Sequence, residues 1–292
     1  MSKINRVLIV GGTHGNEITG IHLVKKFERH PHLIQRQSLK TFTLQANPQA
    51  YAIGKRYVDT DLNRSFRHQD LENPHLTSYE AQRAKEIYQT FGSGGSQPAD
   101  FVIDLHTTTA NMGLTIILDH KEPLYLQLAT YLISLNPNIK VLYSRIESLD
   151  RPHLDSICEF GCTVEVGAVA QGVLDATLFQ QTEKLIHAIL DYIENYNQGT
   201  LPTSKDKLTI YQVTHTIDYP RNESGEIQAM IHPQLQFKDY QALHPGEAIF
   251  LTFEDEEIFY EGNSIVYPVF INEAAYYEKG VAMCITQKEE VF

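Results

Sequence analysis

Short apolar runs alternate with amphipathic stretches through the first two-thirds of the chain. The run RVLIVGG, which starts at Arg6, has the uninterrupted apolar character of a buried strand. The following segment, NEITGIHLVKKFER, places Ile18, Ile21, Val24 and Phe27 on one helical face. This order predicts a strand and then a helix at the start of the chain.

The same alternation continues for another 120 residues or so, an approximate length because boundaries read from sequence are uncertain. Strands are predicted for LKTFTLQANP, ADFVIDLHT and CTVEVG, and helices for YEAQRAKEIYQTF, PLYLQLATYLISL and a long segment from Leu174 to Tyr192. The Thr-x-x-Glu pattern of Thr77 and Glu80 predicts a capping box at the first of these helices. The alternation predicts an α/β fold with a parallel or mixed sheet and helices on both faces.

The pattern changes at NYNQGTLPTSKD, whose Gly, Pro, Ser, Thr and Asn content is typical of a linker. The segments KLTIYQVTHTIDYP, GEAIFLTF and SIVYPVFINE beyond it have strand composition, with turn signals between them. We therefore predict two domains, an α/β domain over 1–198 and a smaller β-rich domain over 199–292.

Composition and charge narrow the classes of partner. The 292 residues are 42% hydrophobic and 21% charged, as in an ordinary globular protein. The formal charge of −12 argues against nucleic acid or an anionic membrane surface as a partner. Apolar runs are too short for a signal peptide or a membrane span, and Cys158, Cys162 and Cys284 form no dense disulfide pattern. We expect a cytoplasmic protein.

A candidate metal site begins in the turn VGGTHGNEITG. Its His14 and Glu17 match part of a known catalytic zinc set of two His and one Glu. Taken alone, this pair is better explained as a hydrogen-bonded histidine and a carboxylate favoured by the helix dipole. His106 supports the metal, because it ends the strand DFVIDLHT, at the edge where α/β sheets gather their sites. Asp104 shares its face of the strand and is a candidate partner for it, or for a salt bridge elsewhere.

Two further segments supply candidate chemistry. Glu165 lies in the apolar strand TVEVG, where burial would raise its proton affinity toward that of a general base. The alternative is a structural ion pair with a core arginine. In GKRYVDTDLNRSF, Arg56, Asn63 and Arg64 offer donors for a carboxylate or an oxyanion. Without the metal set, that segment would be interpreted as a solvated turn.

These blocks together resemble the aspartoacylase/succinylglutamate desuccinylase family of zinc carboxypeptidase-like hydrolases. The chain carries GGTHGNE, RYVDTDLNR, DLHTTTANMG, VEVG followed by QGV, and YPVFINEAAYYEK, in the family's order. The resemblance implies a zinc-carboxypeptidase-like three-layer α/β/α fold with a mixed sheet. It also implies that the β-rich C-terminal domain closes the active-site cleft of the first domain.

The resemblance further implies one Zn²⁺ per subunit, held by His14, Glu17 and His106. Glu165 would be the base for the attacking water and would then pass the proton to the leaving amine. The substrate class is a small N-acyl amino acid, and a homo-oligomer is compatible with the family.

The remaining implied residues contact or support the substrate. Arg56 would hold the acyl carbonyl and its oxyanion, and Asn63 with Arg64 would hold the α-carboxylate. Tyr276 would hydrogen-bond the substrate from the C-terminal domain, and Asp61 would orient its loop.

One departure concerns the choice of substrate. Enzymes of this family that cleave N-acetyl-L-aspartate carry an arginine shortly before the catalytic glutamate, where this chain has Asp155, which would repel a β-carboxylate. Arg151 and Arg145 are candidates to replace that arginine. N-acetyl-L-aspartate is the best single candidate substrate. The alternatives are N-acyl neutral or aromatic amino acids, peptides cut by a carboxypeptidase, and a non-catalytic zinc-dependent protein that binds small ligands.

Overall fold

The computed structural model describes residues 3–144, 151–201 and 207–291, so that Arg145 lies outside the described residues. Within these ranges the strands are β1 (Arg6–Gly11), β2 (Lys40–Gln45), β3 (Phe101–Thr107), β4 (Gly113–Leu118), β5 (Lys140–Tyr143), β6 (Phe160–Gly167), β7 (Leu208–Ile217), β8 (Ala229–Ile231), β9 (Ala248–Thr252), β10 (Glu257–Phe259), β11 (Tyr267–Val269) and β12 (Met283–Val291). The α-helices are α1 (Ile18–Arg29), α2 (Pro48–Ala52), α3 (His68–Glu72), α4 (Tyr79–Phe91), α5 (Pro123–Leu135) and α6 (Ala176–Gln198). Among the described helices, none is both long enough and apolar enough to cross a membrane.

One large mixed sheet organises the molecule, in the order β11-β12-β7-β5-β4-β6-β3-β1-β2. Strand β1 pairs in parallel with β2 and β3, and β3 pairs in parallel with β6. Strand β4 runs antiparallel to β6. Alternate residues of β1 pack on opposite faces of the sheet. Val7 and Ile9 share a hydrophobic cluster with α1, α5 and α6. Leu8 and Val10 share another with α4. Helices therefore cover both faces of the sheet, and the predicted three-layer α/β/α fold is confirmed.

The C-terminal third divides between two sheets. Strands β8, β9 and β10 form a small antiparallel sheet of their own. Strands β7, β12 and β11 extend the large sheet, since β7 pairs in parallel with β5. The sequence pattern indicated β-rich structure here but not this continuity, because strand composition does not reveal which sheet edge a strand joins. The division at residue 198 remains a prediction.

Helix α6 is longer than the sequence pattern indicated. It runs to Gln198, so that NYNQ, the start of the predicted linker, is helical. Gly199 ends the helix in the left-handed conformation, with φ of 68°, and its N–H donates to the backbone carbonyls of Asn195 and Tyr196. The glycine, and not the polar composition before it, therefore sets the end of the helix.

Close contact between β1 and α1 positions the turn that joins them. A Cβ at Gly11 would lie 2.3 Å from the carbonyl carbon of Gly20, and a Cβ at Gly20 would lie 2.9 Å from Cβ of Leu105. Because both positions are glycine, α1 packs directly on the ends of β1 and β3. The turn between β1 and α1 is thereby held at the C-terminal edge of the sheet.

Candidate metal centre and active site

Three buried side chains converge at the C-terminal ends of β1 and β3. His14 lies in the turn after β1, Glu17 immediately precedes α1, and His106 lies near the end of β3. Nδ1 of His14 is 2.6 Å from Oε1 of Glu17 and 3.1 Å from Nδ1 of His106. Nδ1 of His106 is 3.0 Å from Oε2 of Glu17. The predicted ligand set is thus brought together in one place.

Each histidine is oriented by a carboxylate on its far side. Nε2 of His14 lies 3.0 Å from Oδ1 of Asp61, and Nε2 of His106 lies 2.8 Å from Oδ2 of Asp104. Thr13 in turn donates from Oγ1 to Oδ1 of Asp104 at 2.7 Å. With the N–H of each ring directed to its carboxylate, both Nδ1 lone pairs point at the same centre.

This arrangement fits a divalent cation. Two imidazole lone pairs and a carboxylate directed at one another repel unless a positive charge lies among them. Glu17 accepts from Nη1 of Arg56 at 2.9 Å and from the backbone N–H of Thr107 at 3.1 Å, and both donors favour its ionised form. Two His and one Glu with an open side are the donors of a catalytic zinc site.

Glu165 lies beside this centre. In the parallel pairing of β3 and β6 it is directly opposite His106, so the two side chains share one face of the sheet. It is 8% exposed, and among the described residues no ion pair links it to an arginine. Burial raises the pKa of Glu165 well above its usual value, and Glu17 and Glu273 add to the effect. The geometry therefore favours a proton-transfer group over a structural ion pair.

Arg56 reaches the same centre from the loop after α2. Its Nη1 donates to Oε1 of Glu17 at 2.9 Å, and its Nη2 lies 3.6 Å from Oδ2 of Asp61. The N–H of Gly15 donates to the carbonyl of Arg56 at 3.0 Å, which ties this loop to the ligand turn. The guanidinium is thus held next to the candidate ligands, as stabilisation of an oxyanion requires.

Asn63 and Arg64 lie in the 3₁₀ turn Leu62–Arg64 and line the same cavity. Oδ1 of Asn63 accepts the backbone N–H of Leu154 at 2.9 Å, which leaves the amide nitrogen for the cavity. Nη1 of Arg64 donates to the carbonyl of Asn63 at 2.8 Å. An amide and a guanidinium side by side can bind a carboxylate.

Glu80 holds the loop that carries these residues, a role that sequence analysis missed. Helix α4 is capped by Ser78, whose Oγ accepts the N–H of Ala81 at 3.3 Å, and not by Thr77. The capping box is therefore wrong, because the buried carboxylate of Glu80 accepts backbone N–H groups of residues 58–60 at 2.6–3.1 Å instead. The only sequence signal was an acidic residue in a first helical turn, which a local cap explains equally well.

The C-terminal third completes the site. Nζ of Lys279 donates to Oδ2 of Asp61 at 2.7 Å, and Glu273 accepts the N–H of Thr109 at 2.7 Å. Tyr276 lines the cavity, and its ring packs against Phe270 at a centroid distance of 5.3 Å. Lys279 and Glu273 were not singled out from the sequence, since their partners lie more than 160 residues away.

These groups surround a cavity of about 280 Å³, at the small end of the range for ligand sites. It is lined by the candidate ligands, by the residues assigned to base, oxyanion and carboxylate roles, and by a second polar group that consists of Asp119, His153, Asp155 and Thr163.

Arg151, a candidate to replace the arginine that the family resemblance led us to expect, is already paired with a carboxylate. Its Nη1 is 2.7 Å from Oδ2 of Asp119, and both side chains are largely buried. Asp155 lines the cavity, where its Oδ2 accepts from Oγ1 of Thr163 at 3.1 Å. Among the described residues, this end of the cavity therefore presents the carboxyl groups of Asp119 and Asp155, and Arg151 is paired with Asp119 without lining the cavity.

The chain matches two family models. Residues 3–193 match the succinylglutamate desuccinylase/aspartoacylase catalytic domain, and residues 206–288 match the AstE/AspA barrel-sandwich hybrid domain. It is 55% identical to a probable aspartoacylase of Nostoc sp., over 99% of this chain and 98% of that protein. It is 41% identical to the human N-acyl-aromatic-L-amino acid amidohydrolase (carboxylate-forming), over 98% of this chain and 91% of that protein. The crystal structure of murine aminoacylase 3 superposes with a TM-score of 0.94 at 40% identity, covering 100% of this chain and 97% of that one.

Proposed function

Because the chain belongs to the succinylglutamate desuccinylase/aspartoacylase family of hydrolases, we propose that it is a zinc-dependent amidohydrolase that deacylates N-acyl-L-amino acids. One observation carries this proposal. His14, Glu17 and His106 converge with Glu165 beside them in a cavity sized for one amino-acid derivative. The names of the relatives, aspartoacylase and N-acyl-aromatic-L-amino acid amidohydrolase, support the same reaction class.

The metal we propose is one Zn²⁺ per chain, held by His14, Glu17 and His106. Asp61 and Asp104 support it by fixing the tautomer and orientation of the two imidazoles. When bound in such a site, zinc supplies Lewis-acid polarisation of a carbonyl and lowers the pKa of water.

Glu165 and Arg56 carry the chain's own part of the reaction. Glu165 takes a proton from the water that attacks the acyl carbonyl, and later delivers that proton to the amine as the amide C–N bond breaks. Arg56 stabilises the negative charge that develops on the carbonyl oxygen. The products are a carboxylate and a free amino acid.

Asn63 and Arg64 bind the substrate's α-carboxylate through the amide nitrogen and the guanidinium. Tyr276 closes the cavity from the C-terminal third and contributes a hydroxyl to the substrate. The small cavity favours single N-acyl amino acids over the peptides that a carboxypeptidase would require. N-acetyl-L-aspartate, the substrate that the sequence favoured, and N-acyl aromatic amino acids are both supported by relatives' names.

A Glu165→Gln variant tests the mechanism against a zinc-dependent binding protein. We expect it to retain zinc while its kcat on N-acetyl amino acids falls by about 10²-fold or more, because the amide keeps the shape of the side chain but cannot accept the proton. Acetate release and zinc content are measured on the same samples. Near-normal turnover would contradict the assigned base. No turnover by the zinc-loaded parent protein, on N-acetyl or N-succinyl compounds, would favour the binding protein.

A further inference from the structure

The polar end of the cavity contains an unsatisfied carboxyl oxygen. Asp155 is 6% exposed, and its Oδ1 is buried without a hydrogen-bond partner among the described residues. Its other oxygen, Oδ2, accepts from Oγ1 of Thr163 at 3.1 Å. Asp155 lines the cavity, and a buried acceptor that is left unpaired costs about 1–3 kcal/mol, so a ligand that donates a hydrogen bond to this carboxyl group from the cavity is favoured.

Asp155 lies next to the groups proposed to bind the substrate. The backbone N–H of Leu154, next to Asp155, donates to Oδ1 of Asn63 at 2.9 Å, so Asp155 adjoins the proposed α-carboxylate site. Thr163 precedes Glu165 by two residues of β6 and therefore lies on the same face. Asp155 lines the same cavity as Glu165 and Asn63, so the side chain of a substrate held between those two residues would share this cavity with Asp155.

The charges around Asp155 disfavour a second carboxylate. Burial raises the pKa of Asp155 to about 7, and the carboxylates of Asp119 and Asp104 add to the effect. Arg151 lowers that pKa but is already paired with Asp119 at 2.7 Å. Burial, together with Arg64 and Arg151, lowers the pKa of His153 to about 3, so this neighbour is neutral. A side-chain carboxylate would add negative charge beside Asp155, because Arg151 is already paired with Asp119 and Arg64 is assigned to the α-carboxylate.

A metal ion is a poorer occupant of this end of the cavity. Asp119, His153 and Asp155 do offer ligand atoms within 4.8 Å of one another. The guanidinium of Arg151, however, lies in contact with Asp119 and would repel a cation there. A neutral hydrogen-bond donor carries no charge, so it is repelled neither by the guanidinium of Arg151 nor by the carboxylates of Asp119 and Asp155.

We propose that Asp155 selects N-acyl amino acids whose side chain carries a neutral hydrogen-bond donor, a carboxamide above all, against side chains that end in a carboxylate. This inference rests on the proposed deacylase function and names the substrate class of that site. Asp155 acts on the substrate's side chain and takes no part in proton transfer at the amide.

Three N-acetyl amino acids of nearly equal size test the proposal. The kcat/KM of the zinc-loaded protein is measured at about pH 8.5, above the Asp155 pKa of about 7, so that this carboxyl group is ionised and accepts only. The substrates are N-acetyl-L-asparagine, N-acetyl-L-aspartate and N-acetyl-L-leucine. We expect the carboxamide to exceed each of the other two by about tenfold or more, because only it pairs with Asp155. In Asp155→Asn, whose amide can donate to a carboxylate, the ratio of asparagine to aspartate compound should fall by about tenfold or more.

Asp175→Asn is the matched control, since it removes one charge at the exposed N-cap of α6, outside the cavity, and asparagine caps a helix equally well. It should leave the substrate ratio unchanged.

A parent protein that prefers the aspartate or leucine compound, or a ratio that Asp155→Asn does not change, would overturn the inference while the deacylase function stands. No hydrolysis of any N-acyl amino acid would overturn both. Two zinc ions per chain, one of them lost in Asp155→Asn, would show that a metal occupies the subsite and would also overturn it.

Discussion

At the scale of single residues, we expect Arg64 to act in substrate binding and to have little part in the chemical step. It lies at the exposed mouth of the cavity and holds no candidate metal ligand. Removal of its guanidinium in Arg64→Ala should raise KM by about tenfold or more, because a hydrogen bond to a charged group contributes about 1.5–3 kcal/mol. The effect on kcat should be smaller. Steady-state kinetics check this, with Arg67→Ala, an exposed arginine outside the cavity, as control; a fall in kcat at constant KM would contradict the role.

Asp155 also makes a prediction about stability. Its folded pKa of about 7 exceeds the unfolded value of about 3.9, so the folded chain binds this proton more tightly. The resulting stabilisation is complete below about pH 4 and is lost as the pH rises through 7. Asp155→Asn should therefore gain stability relative to the parent, on the order of 2 kcal/mol, between pH 4 and pH 8. Urea unfolding of both proteins at each pH, with zinc held equal, measures this. A difference that does not change with pH would show that Asp155 is not buried as a neutral acid.

At the scale of elements, the first turn of α4 organises the loop that precedes it. The buried carboxylate of Glu80 binds three consecutive backbone N–H groups of that loop. Both carboxylate oxygens of Glu80 accept N–H groups. In Glu80→Gln one of these oxygens becomes an amide NH₂, a donor that faces backbone N–H groups and cannot bond to them. We expect a free energy of unfolding lower by about 1.5–3 kcal/mol, and a raised KM, because Arg56 and Asn63 lie in or next to this loop.

Chemical denaturation and steady-state kinetics measure the two effects. Glu86→Gln is the control, since Glu86 lies on the exposed side of the same helix and, in the part of the chain that the structure describes, its carboxylate pairs only with Arg83 at the surface. Loss of stability with an unchanged KM would show that Glu80 supports the fold but does not position the substrate loop.

At the scale of the whole molecule, an ion pair between Lys279 and Asp61 joins the C-terminal third to the metal centre. Lys279 binds Asp61, and Asp61 in turn orients His14. Lys279→Met keeps an apolar stem but leaves Asp61 without this partner. We expect zinc affinity to fall by about tenfold, the lower end of the effect of losing a group that supports a metal ligand. Competition with a chelator measures the affinity, with the exposed Lys238→Met as control, and an unchanged affinity would contradict the coupling.

The same scale shows what the sequence pattern could predict. The convergence of His14, Glu17 and His106 was predictable because His106 stands near the end of β3 and the other two lie in the turn that follows β1. Parallel strands bring their C-terminal ends to one edge of the sheet. Glu80 escaped because a local cap explained it, and Lys279 because nothing local indicated its partner. The extension of the large sheet by β7, β12 and β11 also escaped, since strand pairing depends on which edge is left open after the first two-thirds fold.

The central claim is metal-dependent deacylation at the centre formed by His14, Glu17 and His106. Its most direct test is the initial rate of acetate release from N-acetyl-L-amino acids as zinc is returned to the chelated protein. We predict no rate without zinc and a plateau at one ion per chain, with no comparable recovery in His106→Ala. A rate that survives chelation, or equal recovery in His106→Ala, would contradict the account.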